Sequence, residues 1–303
     1  MCGLAGIMFK TGGSSNDTGK ALIDMLDGCQ HRGPDSTGFA LYSTDTEADR
    51  LHLRFYVGPA GSAQSQKITD IKDILARHSA VILEDEVIGD NYRCAVEFIG
   101  DLQKMSYDLE HVASIISIGS SLEIYKDVGS AHQVDDRYHV QAIKGTHGLG
   151  HVRMATESAV SPESAHPFWA TGFSDVAIVH NGQITNYYKL RRRLERRGFE
   201  FHTDNDSELI AIYLAEKLQQ GISLREALGQ SIEDLDGTFS YLASTKDEIG
   251  YAKDRLAVKP MIMYEDDDII AIASEEVSLN RLFPGEPLDT KEPPPGTYMT
   301  WSR

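Results

Sequence analysis

The sequence has 303 residues, of which 41% are hydrophobic and 25% charged. These values are ordinary for a globular protein with one large domain or two small ones. The formal net charge of −17 argues against nucleic acid or an anionic membrane as a partner, because both favour a basic surface. The sequence has neither an apolar run near the roughly 18 residues of a membrane span nor an N-terminal signal region, so we expect a cytoplasmic protein.

The first residues contain a candidate nucleophile. If Met1 is removed, Cys2 carries both a thiol and a free α-amine, a nucleophile and a base in one residue. In unfolded peptides a cysteine thiol has a pKa of about 8.5 and an α-amine a pKa near 8. The apolar run from Leu4 to Phe9 predicts a buried strand that holds this residue. A lone cysteine after Met is more often an ordinary small hydrophobic residue, so the interpretation depends on the rest of the chain.

The next segments predict a helix and a turn. Leu22, Met25 and Leu26 recur at helical spacing up to about Cys29, and the turn-rich segment 31–38 then leads into a strand at 39–42. Arg32 lies between these elements and could cap carbonyl groups or bind an anion. Turn chemistry by itself favours the structural role for Arg32.

Residues 51–145 carry no repeat and no chemical motif. Their pattern predicts strands near 51–57, 80–83, 94–99 and 122–125, a loop at 58–65, and helices over 68–75 and 109–116. We interpret this segment as a small subdomain inserted into a larger sheet protein, for packing or for docking of a partner.

The following strand, from Gly148 to Thr156, ends in polar groups and includes Arg153. A guanidinium presents a planar fork that suits a carboxylate, such as the α-carboxylate of an amino acid. For an isolated arginine, a surface ion pair is the more common role. The His166-Pro167 pair that follows is more typical of a turn than of catalysis.

A buried strand at 177–180 leads into Asn181-Gly182, and this dipeptide is a strong hairpin signal. An asparagine amide and a glycine N–H can also stabilise an oxyanion during amide hydrolysis. Asn186 is a natural N-cap for the next helix, whose arginine-rich face at 191–197 indicates solvent exposure or internal ion pairs.

The segment from His202 to Glu208 is rich in helix-capping groups and precedes an apolar helix. Capping explains at least one of its acidic residues, and Asp206 could instead bind a substrate ammonium. Later strands are predicted near 237–243, 249–252, 261–264 and 269–273, with residues 265–268 as a polar hairpin tip.

These pieces together resemble the class II, N-terminal-nucleophile, glutamine amidotransferase domain. The resemblance is carried by the following segments in the order of that family: Cys2-Gly3, His31–Gly38, Gly150–Thr156, Ala165–Phe168, His180–Gly182 and Asp206–Glu208. It implies an α+β fold of four αββα layers with two facing antiparallel sheets. It also implies one domain over residues 2–303, with the insertion at about 51–145.

The same resemblance implies a role for each candidate residue. Cys2 would attack the side-chain amide of L-glutamine with its own α-amine as the base, and Asn181 with the N–H of Gly182 would form the oxyanion hole. Arg153 would bind the α-carboxylate of glutamine and Asp206 its α-ammonium. The remaining two residues have supporting roles: Arg32 at the nucleophile and Thr156 in the lining of the site.

The sequence departs from the family pattern at two positions near glutamine. Met154 stands where several relatives have an aromatic residue, and Glu157 stands where some have His or a small residue. Both positions are expected to affect glutamine affinity.

Because no synthase motif follows the amidotransferase pattern, we expect a glutaminase subunit that passes ammonia to a separate synthase in a hetero-oligomer. Such subunits resemble those of archaeal-type glutamate synthase and of N-methylglutamate synthase. FMN and iron–sulfur clusters are expected only in that partner, and the three cysteines Cys2, Cys29 and Cys94 predict neither a disulfide framework nor a metal site in this chain. The alternatives are a catalytically silent regulatory or assembly subunit of such a complex and the glutaminase part of an amidophosphoribosyltransferase-like enzyme.

Overall fold

The computed structural model describes residues 2–10, 16–43, 49–155 and 160–303. The strands of these residues are β1 (Gly3–Phe9), β2 (Ser36–Tyr42), β3 (Arg50–Tyr56), β4 (Val81–Ile88), β5 (Asn91–Glu97), β6 (Ser114–Gly119), β7 (Leu122–Val128), β8 (His147–Arg153), β9 (Phe168–Trp169), β10 (Ala177–Ile184), β11 (Gly237–Ser244), β12 (Glu248–Lys253), β13 (Ile262–Glu265), β14 (Ile269–Ala273) and β15 (Tyr298–Ser302). Their helices are α1 (Thr18–Cys29), α2 (Ser62–Arg77), α3 (Leu102–Glu110), α4 (Ala131–Tyr138), α5 (Tyr187–Glu195), α6 (Asp206–Gln219), α7 (Leu224–Asp234) and α8 (Glu276–Asn280).

Two antiparallel sheets face each other at the centre of the protein. One has the strand order β13-β14-β1-β8-β2-β7 and the other the order β15-β12-β11-β10-β9. Apolar side chains of both sheets, among them Leu4, Met8, Leu149, Val179 and Leu242, are fully buried in one cluster between them. Burial of this apolar surface on both inner faces holds the sheets together.

Helices cover the outer face of each sheet. The fully buried Leu22 and Leu26 of α1 pack with side chains of α4 and α8 on the six-stranded sheet. Residues of α5, α6 and α7 form a second apolar cluster with the outer side of β10 and β11. The predicted α+β fold with four αββα layers is therefore confirmed.

The register of the central strands places the chain start beside the end of β8. β1 lies between β14 and β8, and Gly3 pairs with Val152, the residue before Arg153. A Cβ at Gly3 would come within 2.8 Å of the Cys29 sulfur, so this close approach requires glycine. Cys2, just before β1, and Arg153, the last residue of β8, therefore lie at the same end of these two strands, where polar residues gather.

Residues Arg50–Gly119 form a third sheet with the order β4-β5-β3-β6, together with α2 and α3. Two expectations for this segment were wrong. The predicted loop at 58–65 ends early because α2 begins at Ser62, and the predicted helix at 109–116 is the end of α3 followed by β6. β7 and α4, also within 51–145, lie outside the third sheet, because β7 pairs with β2 in the six-stranded sheet and α4 packs on that sheet. Whether the segment is an insertion stays a prediction.

Glu110, at the end of α3, lies at a small cavity of about 170 Å³ between this third sheet and the core. Burial raises the pKa of Glu110 from 4.5 to about 8, although the Ile115 N–H donates to it at 3.0 Å. The folded protein therefore binds this proton more tightly than the unfolded chain does. The resulting stability is complete below about pH 4.5 and is lost as the pH rises through about 8.

Glu110→Gln is expected to become more stable relative to the wild type as the pH rises from about 5 to about 8.5. One pKa unit corresponds to about 1.4 kcal/mol, which sets an upper limit of about 5 kcal/mol on the difference. Thermal melting of both proteins across this range measures it, with the exposed Glu97→Gln as the control. An equal pH trend in wild type and Glu110→Gln would contradict the prediction.

No helix within the described ranges is both long enough and apolar enough to cross a membrane.

Candidate active site

Six of the seven predicted site residues line one cavity of about 800 Å³. They are Cys2, Arg32, Arg153, Asn181, Gly182 and Asp206. The seventh, Thr156, lies outside the described residues, as do Met1 and Glu157. The six cavity residues come from five separate stretches of the chain, and only the packing of the two sheets brings them together.

Hydrogen bonds from three other segments hold Cys2. The backbone N–H of Met154 donates to the Cys2 sulfur at 3.3 Å. The carbonyl oxygen of Cys2 accepts from Nε of Arg32 at 3.0 Å and from Nδ2 of Asn181 at 3.2 Å. The sulfur therefore faces the cavity in one defined position.

Arg32 lies in a short turn after α1 and is 8% exposed. Its Nη1 donates to Oε1 of Glu275 at 2.5 Å, while its Nε supports the Cys2 carbonyl. The turn packs directly on β8, because a Cβ at Gly33 would lie 2.3 Å from the carbonyl carbon of Val152. Arg32 thus links the N-terminus to the segment after β14.

Arg153 is the last residue of β8, and only 6% of it is exposed. Its backbone carbonyl accepts from the N–H of Asp35 at 3.0 Å, and Oδ2 of Asp35 accepts from the Ala155 N–H at 2.8 Å. Burial lowers the pKa of Arg153, and the charges of Cys2 and Asp35 oppose that effect. A largely buried guanidinium on a cavity wall is suited to bind a carboxylate.

Asn181 and Gly182 lie inside β10, so the alternative interpretation of this dipeptide as a hairpin turn was wrong. β10 pairs with β11 from Ala177 to Ile184. Gly182 has φ +151°, and a Cβ there would lie 2.1 Å from the carbonyl oxygen of Thr238. Glycine is required at this position because β11 approaches so closely.

The side chain of Asn181 has a defined orientation. Its Oδ1 is 3.0 Å from Nε2 of His151, and its Nδ2 donates to the Cys2 carbonyl and to the Ser274 hydroxyl, each at 3.2 Å. Burial lowers the pKa of His151 to about 3, so its ring is neutral. Since Oδ1 can only accept, the hydrogen of the neutral ring is on Nε2. His151 therefore directs the amide nitrogen of Asn181 towards Cys2.

Three buried histidines, His151, His166 and His180, lie at the site, and His166 and His180 line the cavity. The sequence interpretation missed His151 and His180 as site residues and underrated His166. His166 stacks on His151 with ring centroids 4.1 Å apart, and burial holds the pKa of His166 well below its ordinary value. Nδ1 of His180 lies 3.0 Å from the Ser207 hydroxyl. Their positions in the sequence could have indicated these histidines, because His151 lies two residues before Arg153 and His180 directly precedes Asn181.

Asp206 is the first residue of α6 and faces the cavity. Burial opposes its ionisation. His180, with Nδ1 at 3.5 Å from Oδ1, and the Ile184 N–H, at 2.9 Å from Oδ2, outweigh burial and keep the pKa of Asp206 below its ordinary range. Asp206 is therefore an anion, as binding of an ammonium group requires.

Asn205 caps this helix, and Glu208 binds the loop before it. The side chain of Asn205 accepts from the Ser207 N–H at 2.9 Å, and Glu208 accepts from the N–H groups of His202 and Thr203, both at 2.8 Å. At the preceding helix, Asn186 occupies the N-cap position, but its amide bonds instead to Asp234 and Asp236. The expected capping role of Asn186 was therefore wrong.

Two facing antiparallel sheets between two helical layers are the arrangement of the N-terminal-nucleophile hydrolase fold. Glutamine phosphoribosylpyrophosphate amidotransferase from B. subtilis, solved with ADP and GMP, has this fold, with a TM-score of 0.63 and 19% identity. The match covers 99% of this chain and 47% of that one. The likeness therefore concerns the fold, and this chain spans about half the length of that protein.

Sequence comparison gives the family. A family model described as a glutamine amidotransferase domain matches residues 151–281. A protein of Methanothermobacter thermautotrophicus, provisionally named a glutamine amidotransferase, is 40% identical over 300 residues, or 96% of this chain and 95% of that protein. The glutamine amidotransferase-like protein GlxB of Rhizobium meliloti is 36% identical over 302 residues, or 99% and 98% of the two chains. The chain belongs to the glutamine amidotransferase family.

Proposed function

We propose that this protein hydrolyses L-glutamine to glutamate and ammonia, with Cys2 as the nucleophile. The observation that carries the proposal is the charge pattern around one cavity: the cation of Arg153, the anion of Asp206 and the Cys2 thiol all line it. Free glutamine has a carboxylate and an ammonium at one end and an amide at the other. Its two charged groups would pair with Arg153 and Asp206, leaving the amide at Cys2.

In the proposed mechanism, removal of Met1 frees the α-amine of Cys2, which takes the thiol proton as the sulfur attacks the amide carbon. The new S–C bond gives a tetrahedral oxyanion, and the backbone N–H of Gly182 and the Nδ2 of Asn181 donate to it. Asn181 exchanges one of its present bonds, to the Cys2 carbonyl or to Ser274, for this bond. The α-ammonium of Cys2 then protonates the leaving nitrogen, and the C–N bond breaks.

Ammonia leaves, and the product is a glutamyl thioester on Cys2. Water, deprotonated by the same α-amine, attacks the thioester, and the S–C bond breaks to release glutamate and restore the thiol. Arg32 supports the nucleophile through the Cys2 carbonyl, and Thr156 remains a predicted contact of the substrate.

We further propose that ammonia passes to a separate synthase subunit, of the glutamate synthase or N-methylglutamate synthase type, in a hetero-oligomer. FMN and iron–sulfur clusters would belong to that partner. Exposed apolar residues at the cavity support the presence of a partner: Tyr188 lines the cavity and is 71% exposed. Leu256 and Val258, 71% and 60% exposed, lie just before the cavity residues Lys259 and Pro260.

The direct test is glutamate release by the purified protein, together with its intact mass before and after 6-diazo-5-oxo-norleucine, an electrophilic analogue of glutamine. We expect loss of Met1 and one adduct, located on Cys2. Two truncated substrates probe the charge pattern. 4-Aminobutanamide lacks the α-carboxylate and glutaramic acid lacks the α-ammonium, and each should raise KM by about tenfold or more. Retained Met1 with no glutamate release would contradict the proposal.

A further inference from the structure

A lysine behind the site binds the backbone of one cavity segment. Lys126 of β7 is 6% exposed, and its Nζ donates to three carbonyl oxygens: that of Ala165 at 2.9 Å, of Pro167 at 3.3 Å and of Glu163 at 3.4 Å. An ammonium group has three N–H donors, so this arrangement uses all of them on one short segment. Nζ also lies 5.0 Å from the centre of the Phe168 ring.

The segment 163–167 is held from a second side by β2. Gly38 pairs with Lys126 in the sheet, and a Cβ at Gly38 would lie only 2.1 Å from the carbonyl oxygen of His166. The segment therefore packs directly on the backbone of β2. The contacts with Lys126 and with the backbone at Gly38 together fix the position of the segment 163–167.

This position matters because His166 bonds to both substrate-binding elements. Its Nδ1 accepts from the backbone N–H of His180 at 3.2 Å, and its Nε2 lies 3.2 Å from the Ser207 hydroxyl. His180 in turn approaches Asp206, and it directly precedes Asn181 in β10. A shift of the segment would therefore move Asp206 and the neighbouring strand.

We propose that Lys126 is a positioning residue for glutamine binding: through three backbone carbonyls it holds the segment 163–167, and through His166 it sets the position of Asp206. This inference rests on the proposed glutaminase function. Lys126 is not among the described residues that line the cavity, so its effect would pass through the segment.

The charges around Lys126 keep it cationic near neutral pH. Burial lowers its pKa to about 8; the nearby charge of Glu163 counteracts burial, whereas Arg153 adds to it. Kinetics measured near pH 7 therefore report on the ammonium form in the wild type.

Lys126→Met is expected to raise the KM for glutamine by about tenfold, with a smaller change in kcat. The reason is that Asp206, which would bind the α-ammonium of glutamine, loses its position when the segment 163–167 moves. A purely structural role would reduce the amount of folded enzyme, which lowers the apparent kcat and leaves KM unchanged. The measurement is steady-state glutamate release, with the folded fraction determined by circular dichroism.

Lys253→Met is the matched control. Lys253 is fully buried and its Nζ donates to Oε1 of Glu292 at 3.0 Å and to the Pro293 carbonyl at 3.1 Å, outside the residues that line the cavity. This variant should lose stability with an unchanged KM. Lys126→Arg, which retains charge and donors in a larger group, provides a second measurement and should also raise KM.

An unchanged KM in folded Lys126→Met or Lys126→Arg would overturn the inference. Failure of both variants to fold would also overturn it, because Lys126 would then be needed only for the stability of the fold. Equal KM changes in Lys126→Met and Lys253→Met would overturn it as well. Failure of the proposed function is a separate result, because the wild type would then release no glutamate.

Discussion

Cys2→Ala is expected to abolish glutamate release, by roughly a thousandfold or more in kcat, because the variant has no atom that can form the thioester. The 6-diazo-5-oxo-norleucine adduct should disappear together with the activity. The thermal melting temperature should change little, because the Cys2 carbonyl contacts of Arg32 and Asn181 are to the backbone and persist. Steady-state kinetics, intact mass and melting together measure these outcomes.

Cys94→Ala is the matched control for this result. Cys94 is fully buried in β5, and burial raises the pKa of its thiol to about 12, which keeps it protonated and unreactive. This variant should keep its glutaminase activity and its adduct. Substantial glutamate release by Cys2→Ala, or an adduct that persists in it, would refute Cys2 as the nucleophile.

Asn181→Ala is expected to lower kcat by about a hundredfold or more, with a smaller change in KM, because it removes one donor to the oxyanion. An oxyanion contact acts in the transition state, whereas the proposed contacts of Arg153 and Asp206 act on bound glutamine. The effect on kcat therefore distinguishes Asn181 from the substrate-binding residues. The measurement is glutamate release at saturating and at limiting glutamine.

Asn186→Ala provides a comparison for the loss of an asparagine amide. Its Nδ2 donates to the Asp234 carbonyl at 2.9 Å and its Oδ1 accepts from the Asp236 N–H at 3.1 Å, outside the residues that line the cavity. We expect it to lower stability with little effect on kcat. A kcat for folded Asn181→Ala within a few fold of the wild type would rule out the oxyanion role.

The parts of the fold with strong local patterns could be predicted from sequence. The apolar spacing of Leu22, Met25 and Leu26 indicated α1, and the run from Leu4 to Phe9 indicated β1. The prediction failed at 109–116, where the apolar residues are divided between the end of α3 at Glu110 and the start of β6 at Ser114. Short buried runs have no decisive period, and the pairing of β6 with β3 decides the structure there.

The interpretation of Asn181-Gly182 shows a local rule that tertiary structure overrides. The dipeptide favours a tight turn when only its neighbours are considered. In the protein, the pairing of β10 with β11 continues before and after the dipeptide, and the close approach of Thr238 requires a glycine. The residue pair is therefore specified by strand contact and by its place beside Cys2.

The sequence alone determined which reactive and charged groups the chain has and which family it resembles, because residue types and their order can be recognised without coordinates. Cys2, Arg153, Asn181 and Asp206 could each be singled out, although each by itself had an ordinary structural explanation. Only the tertiary structure decided that they share one cavity, because that depends on the register of β1 with β8 and on the facing of the two sheets. It also placed His151 against Asn181 and Lys126 against the carbonyl of Ala165, and these contacts join residues far apart in sequence, which no local pattern encodes.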